Sequence, residues 1–181
     1  MFVQTQTTPN PNSLKFLPGK TVSKIGSYEF TDKNSINNSL IRNILTINGV
    51  TGIFLGEDFI SVNKKEEVEW EDIKHIVISL INEYYQSGQE FVIEKDPNQK
   101  HSNENLIEIE KQIIEVLDTK IRPAVARDGG DIKFEEYKDG VVKVKLQGSC
   151  SGCPSSTATL KQGVQNLLCH YVPDVKEVIA I

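Results

Sequence analysis

Along this chain, short stretches in which apolar and polar residues alternate are interleaved with longer ones whose apolar residues recur every three or four positions. Alternation marks half-buried strands, and the longer spacing marks amphipathic helices. Phe2–Thr7 and Leu14–Leu17 read as short strands on either side of Pro9-Asn10-Pro11-Asn12, a dense turn signal. Ser35 takes the N-cap position of a predicted helix whose apolar positions are Ile36, Leu40, Ile44 and Ile47. Val50–Leu55 and Phe59–Val62 flank Gly56-Glu57-Asp58 as a hairpin. A second helix is predicted from about Glu69 to Ser87, with Ile73, Ile76, Val77, Leu80, Ile81 and Tyr84 on one face. Gly88 suits its C-cap.

Asp96 to Asn103 holds no apolar residue and contains Pro97, which makes it the predicted linker. Beyond it a helix carries Leu106, Ile109, Ile113, Val116 and Leu117 as its core face and is expected to close around Pro123. Ile132–Tyr137 and Val141–Gln147 form a hairpin over Asp139-Gly140, a strong short-range turn signal. Val142, Val144 and Leu146 alternate with Lys143, Lys145 and Gln147, so one face is expected buried and the other wet. A helix from Pro154 to about Tyr171 follows, and Val172–Ile181 supplies a last strand. The fold class is therefore α+β in two small domains. Residues 1–95 make a strand-rich N-terminal α/β domain, 96–103 the linker, and 104–181 a C-terminal α-β-β-α-β domain.

Composition narrows the function. Hydrophobic content of 38% with 25% charged residues is that of an ordinary globular protein. The formal charge of −5 is spread evenly, and no basic face of the kind nucleic acid demands is evident. No apolar run is long enough for a membrane span, and neither an apolar leader nor an Arg-rich transit segment follows Met1. Three cysteines argue against a secreted disulfide framework and for a reducing compartment. Gly19-Lys20-Thr21 echoes the end of a phosphate loop, but Leu14 stands where that loop needs glycine, so the match reads as chance. Trp70 reads as a packing residue.

Chemistry concentrates at Gly148-Ser149-Cys150-Ser151-Gly152-Cys153-Pro154, between a predicted strand and a predicted helix. Two thiols separated by two small residues can face one centre, and thiolates suit zinc, Cu(I) and iron–sulfur clusters. The helix N-terminus beside them is expected to favour thiolate over thiol. A tetrahedral metal or a four-iron cluster wants four protein ligands. Cys169 lies sixteen residues beyond Cys153, roughly 24 Å along a helix, and His75, His101 and His170 show no ligand spacing to the pair. The chain carries half a site, which a twofold dimer completes most simply. Three readings stay open on spacing alone: a metal or cluster site, a thiol–disulfide oxidoreductase using Cys150 and Cys153, or inert thiols. A zinc-bridged module is a weaker variant of the first. Asp128-Gly129-Gly130-Asp131 reads as a turn that could shape the cysteine loop, and Arg127 as a surface residue that could offset thiolate charge.

Pro123–Ile132 together with Gly148–Ser156 resembles the NifU C-terminal-like domain of Nfu iron–sulfur proteins. Gln4–Phe16 resembles the Nfu N-terminal domain, in the family's order. The resemblance implies a scaffold or carrier, not an enzyme. It would bind a [4Fe–4S] cluster between two subunits through Cys150 and Cys153 and pass it to apo-protein clients. Its implied partners are those clients, an upstream cluster-assembly scaffold and a second copy of itself; charge and apolar runs add neither nucleic acid nor membrane. Family members in eukaryotes are mitochondrial and carry a transit peptide, so the resemblance implies the cytoplasm of a bacterium, or the mitochondrial matrix if this is a processed mature chain.

Overall fold

The protein, seen in a computed structural model, is described at residues 2–34, 37–95, 106–152 and 154–181, without the side chains of 154–156. The predicted linker and the predicted cap Ser35 lie outside the described residues. Strands β1 (Gln4–Thr7), β2 (Ser13–Leu17), β3 (Tyr28–Phe30), β4 (Val50–Leu55) and β5 (Ile60–Lys64) form an antiparallel sheet in the order β1-β2-β5-β4-β3. The sequence pattern misses β3, which is only three residues long. Helices α1 (Ser39–Thr46) and α2 (Trp70–Gln86) complete this half.

Asn38, not Ser35, caps α1. Its side-chain oxygen accepts the Ile41 N–H at 3.1 Å while its amide donates to Tyr84 Oη and Val92 O, so one residue ends a helix and ties down two neighbours. On α2 the buried stripe is Ile73, Val77, Ile81 and Tyr85, a strict four-residue row. Ile76, expected on that face, is 47% exposed. Gly88 follows the Ser87 cap at φ +89°, the left-handed geometry that ends many helices. Trp70 packs at the edge of the core and donates its indole N–H to Pro11 O.

The second half begins with α3 (Glu108–Val116), a π-helical turn over Leu117–Ile121 and α4 (Arg122–Arg127). The chain was expected to leave its helix at Pro123; instead it stays helical through it. Proline lacks an N–H and its ring collides with the carbonyl one turn back. The widened turn relieves both problems, and Pro123 then sits in the first turn of α4. Strands β6 (Gly130–Lys138) and β7 (Val141–Gly148) pair antiparallel, and β8 (Glu177–Ala180) adds parallel to β7. Asp139 and Gly140 turn the hairpin at φ +53° and +88°, both positive as a two-residue type I′ turn requires. A parallel neighbour needs a crossover, which α5 (Pro154–Tyr171) provides.

Two separate apolar cores result. Phe16, Ile44, Leu55, Ile60, Val77 and Ile81 centre the first, and Ile113, Leu117, Ile132, Val144, Leu168 and Val178 the second. Leu168 is fully buried in the second core. Leu168→Ala should cost about 2–5 kcal/mol, read as a lower urea midpoint of the C-terminal half.

Candidate functional site

The cysteine loop hangs from the open end of the β6–β7 ladder, where Gly130 pairs with Gly148. Gly148 leaves β7 at φ +66°, and Gly152 leads toward α5 at φ +79°; both conformations favour glycine. A Cβ on Gly130 would stand 2.6 Å from both Cys150 Sγ and Gln147 O. A Cβ on Gly148 would stand 2.7 Å from Gly129 O and 2.8 Å from the Phe54 ring. The close approach of two backbones therefore makes the thiol's seat. Backbone and hydroxyl bonds then fix the loop. Ser149 N–H donates to Gly129 O at 3.2 Å and its hydroxyl to Asp128 O. Ser151 donates its N–H and hydroxyl to Gly148 O at 3.2 and 2.8 Å. The Thr157 hydroxyl, in the first turns of α5, reaches Cys150 O. The Asp128–Asp131 turn does shape the loop.

Cys150 is only 7% exposed and belongs to the C-terminal core. Burial pushes its thiol up to about 11, with Asp128 and Asp131 adding to the shift and the Ser149 hydroxyl opposing it. The expectation of a thiolate favoured by the helix end is thus corrected for Cys150 in this conformation: desolvation outweighs the dipole. Cys153 lies outside the described residues, as does His101. Cys169 is half-buried near the far end of the uninterrupted helix α5, away from the loop. Tyr171, the last residue of α5, is 48% exposed. His170 stacks edge-on against that ring, and His75 is exposed on α2. Among the described residues no three His, Cys, Asp or Glu side chains gather as a metal site.

Sequence reasoning singles out Arg127, which is exposed. The arginine that matters structurally is Arg122. Its Nε and Nη2 donate to the two carboxylate oxygens of Asp131 at 2.8 and 2.9 Å, and Nη1 reaches Asp118 at 2.9 Å. Asp131 also accepts the Ile132 N–H and the Ser27 hydroxyl. The i,i+4 spacing of Asp118 and Arg122 was a readable signal; the pairing with Asp131 was not. This pair lines a cleft of about 330 Å³ between the two halves, beside Gly130 and facing Phe54 and Phe59.

The halves also meet at the loop itself. Asn10 donates to Ser149 O and Ser151 O at 3.1 and 3.3 Å, and Asn63 to Gly148 O at 3.1 Å. Glu29 accepts the Gly148 N–H at 2.9 Å. Lys15 donates to Ala126 O and Arg127 O; burial lowers its pKa, with Asp58 and Asp128 opposing. None of these four residues was singled out from the sequence as part of the site, and Asn10 was read only as part of a turn.

Two outcomes follow from this geometry. A thiol whose pKa rises on folding stabilises the fold below its unfolded pKa and loses that contribution as pH climbs through the folded value. The stability difference between wild type and Cys150→Ala should therefore hold below pH 9 and shrink between pH 9 and about 11, measured by urea titration across that range. Arg122→Leu should destabilise by about 1–3 kcal/mol because it leaves the buried Asp131 carboxylate without its bidentate partner, read as a lowered thermal midpoint.

The family described as NifU-like domain matches residues 113–179, and that described as scaffold protein Nfu/NifU N terminal matches residues 3–88. The human protein named NFU1 iron-sulfur cluster scaffold homolog, mitochondrial, is 45% identical over 180 residues, covering 98% of this chain and 71% of the human one. NifU-like protein 4, mitochondrial, of Arabidopsis thaliana is 42% identical, covering 98% of this chain and 65% of its own. The solution structure of a NifU-like protein from Saccharomyces cerevisiae superposes with a TM-score of 0.48 at 35% identity, over 53% of this chain and 87% of that one. With both halves matched in order and relatives of this identity along nearly its whole length, the chain belongs to the Nfu family of NifU-like scaffold proteins.

Proposed function

We propose that this chain carries a [4Fe–4S] cluster as cargo between two copies of itself, each supplying Cys150 and Cys153, and delivers it to apo-proteins without catalysing a reaction. Family membership supports the general role, since its human relative is named an iron–sulfur cluster scaffold. The observation that carries the reading is the glycine-bounded loop that holds Cys150. Its thiol lies where Gly130 has no Cβ, in a loop bounded by Gly148 and Gly152 that runs into α5. Sulfur is a soft donor that suits an iron–sulfur cluster once deprotonated, and glycine on both sides of Cys150 lets the loop turn it out of that seat to ligate one.

Half a ligand set per chain explains delivery. Four thiolates, two from each copy, satisfy one four-iron cluster. An incoming client thiolate forms one Fe–S bond as one cysteine of the carrier leaves, so the cluster passes on with no change in electron count. An upstream assembly scaffold is the donor. Residues 1–95 and 104–181 act as two domains joined through 96–103, the first serving recognition of donor or client.

Anaerobic reconstitution followed by iron, sulfide and sedimentation analysis tests this. Wild type should hold about four irons per two chains and sediment as a dimer. Cys150→Ala and Cys153→Ala should each lose the cluster, because each substitution removes two of four ligands, while Cys169→Ser keeps it. Full iron and sulfide in either of the first two variants would refute the ligand assignment. A metal-free monomer that turns over disulfides through Cys150 and Cys153 would establish the oxidoreductase reading instead.

A further inference from the structure

Pro9-Asn10-Pro11-Asn12 stands out in the sequence as a turn, yet a turn alone leaves Asn10 unexplained. The side chain is only 4% exposed and spends its whole amide. Its oxygen accepts the Asn12 N–H at 2.9 Å, closing the turn, while its nitrogen donates to the carbonyls of Ser149 and Ser151. Those two carbonyls bracket Cys150. Asn63 and Glu29 grip the next residue back, taking both the carbonyl and the N–H of Gly148. Four hydrogen bonds from the N-terminal half thus fix the backbone on either side of a thiol that points into the C-terminal core.

The character of this contact is that of a latch rather than a fused core. The two apolar cores share no residue, and the apolar contact at the seam is the Phe54 ring against Gly148. Close to the seam, Ser61 Oγ, Asn63 Oδ1 and Gln147 Oε1 are buried without a hydrogen-bond partner among the described residues. Ser61 Oγ lies 2.7 Å from where a Gly129 Cβ would be, and Gln147, on the polar side of β7 by alternation, is only 7% exposed. An unsatisfied buried polar group costs free energy that opening to water returns, so the closed contact carries its own tendency to release. Polar interfaces between domains of one chain move apart readily.

We infer that the Asn10 turn is an intramolecular latch that holds the cysteine loop with Cys150 turned inward, and that a cluster loads only when the N-terminal half lets go. The inference rests on the carrier reading above. For a second copy to share a cluster, its loop must face Cys150, and Cys150 must turn outward. Both need the carbonyls of Ser149 and Ser151 free to move. Closure and cluster sharing therefore compete for the same few residues.

The test uses the full-length apo-protein and the variants Asn10→Ala and Glu29→Ala. Alkylation of Cys150 by N-ethylmaleimide, followed at one pH by peptide mass spectrometry, should be about tenfold faster in Asn10→Ala, the effect of losing one or two neutral hydrogen bonds, and at least as much faster in Glu29→Ala, which loses a bond to a carboxylate. Small-angle scattering should show a larger radius of gyration. Anaerobic cluster loading should be faster in both, with the same final iron and sulfide. Glu29→Ala leaves the Pro9–Asn12 turn intact, so it decides the matter if Asn10→Ala misfolds. Unchanged alkylation and scattering in a folded Glu29→Ala would overturn the latch, even if the cluster binds normally. Absence of iron and sulfide from wild type would instead overturn the carrier reading, while the alkylation comparison would still judge the latch.

Discussion

Everything distinctive about this molecule depends on how closely β6 and β7 approach at their open end. Gly130 and Gly148 face each other across the ladder, and with side chains at either position the backbones would have to part. Because they do not part, Ser149 can bond back to Asp128 and Gly129, and the sulfur of Cys150 fits where a Cβ would otherwise be. The same absence of bulk admits Phe54 of the N-terminal sheet against Gly148. One steric permission therefore creates both the thiol's seat and the place where the two halves of the chain meet.

The electrostatics around that seat follow from its burial. Cys150 is held neutral by lack of solvation, with Asp128 and Asp131 also disfavouring charge. Asp131 is itself bound in a fork by Arg122 and capped by the Ile132 N–H. This arrangement suits storage of a thiol in a protected state better than immediate attack or ligation, since reactivity belongs to the thiolate. A thiol withheld in this way is also less open to oxidation than an exposed thiolate.

The sequence exposes much of this fold because most of it is local. The period-2 runs at Ile132–Tyr137 and Val141–Gln147, the Asp139-Gly140 turn and the helix after Pro154 are each announced by adjacent residues, and the structure places all of them. Errors arise where the deciding partner is distant. Asn38 wins the cap of α1 because Tyr84 and Val92 also need its amide, and no reading of residues 35–38 shows that. Helical spacing alone put Ile76 on the α2 core face, but the row that meets the core runs through Ile73, Val77, Ile81 and Tyr85. Pro123 stays inside a helical path because a π-turn precedes it. At the site, the cysteines and the glycine turn were legible as motifs, while Arg122 with Asp131 was not, and neither was the inward direction of Cys150.

The N-terminal half makes the sharper case. Its turn of two prolines and two asparagines is readable as geometry and silent as function, because the groups Asn10 serves lie some 140 residues further along. The polar seam it builds differs in kind from the cores on either side. Apolar contact is non-directional and would hold the halves in many poses, whereas amide-to-carbonyl bonds specify which loop is gripped and in which conformation. Orphaned Ser61 and Gln147 oxygens weaken the same seam that Asn10 and Glu29 strengthen. The balance lets a domain with its own core act on the cysteine loop reversibly, by holding backbone rather than by touching sulfur.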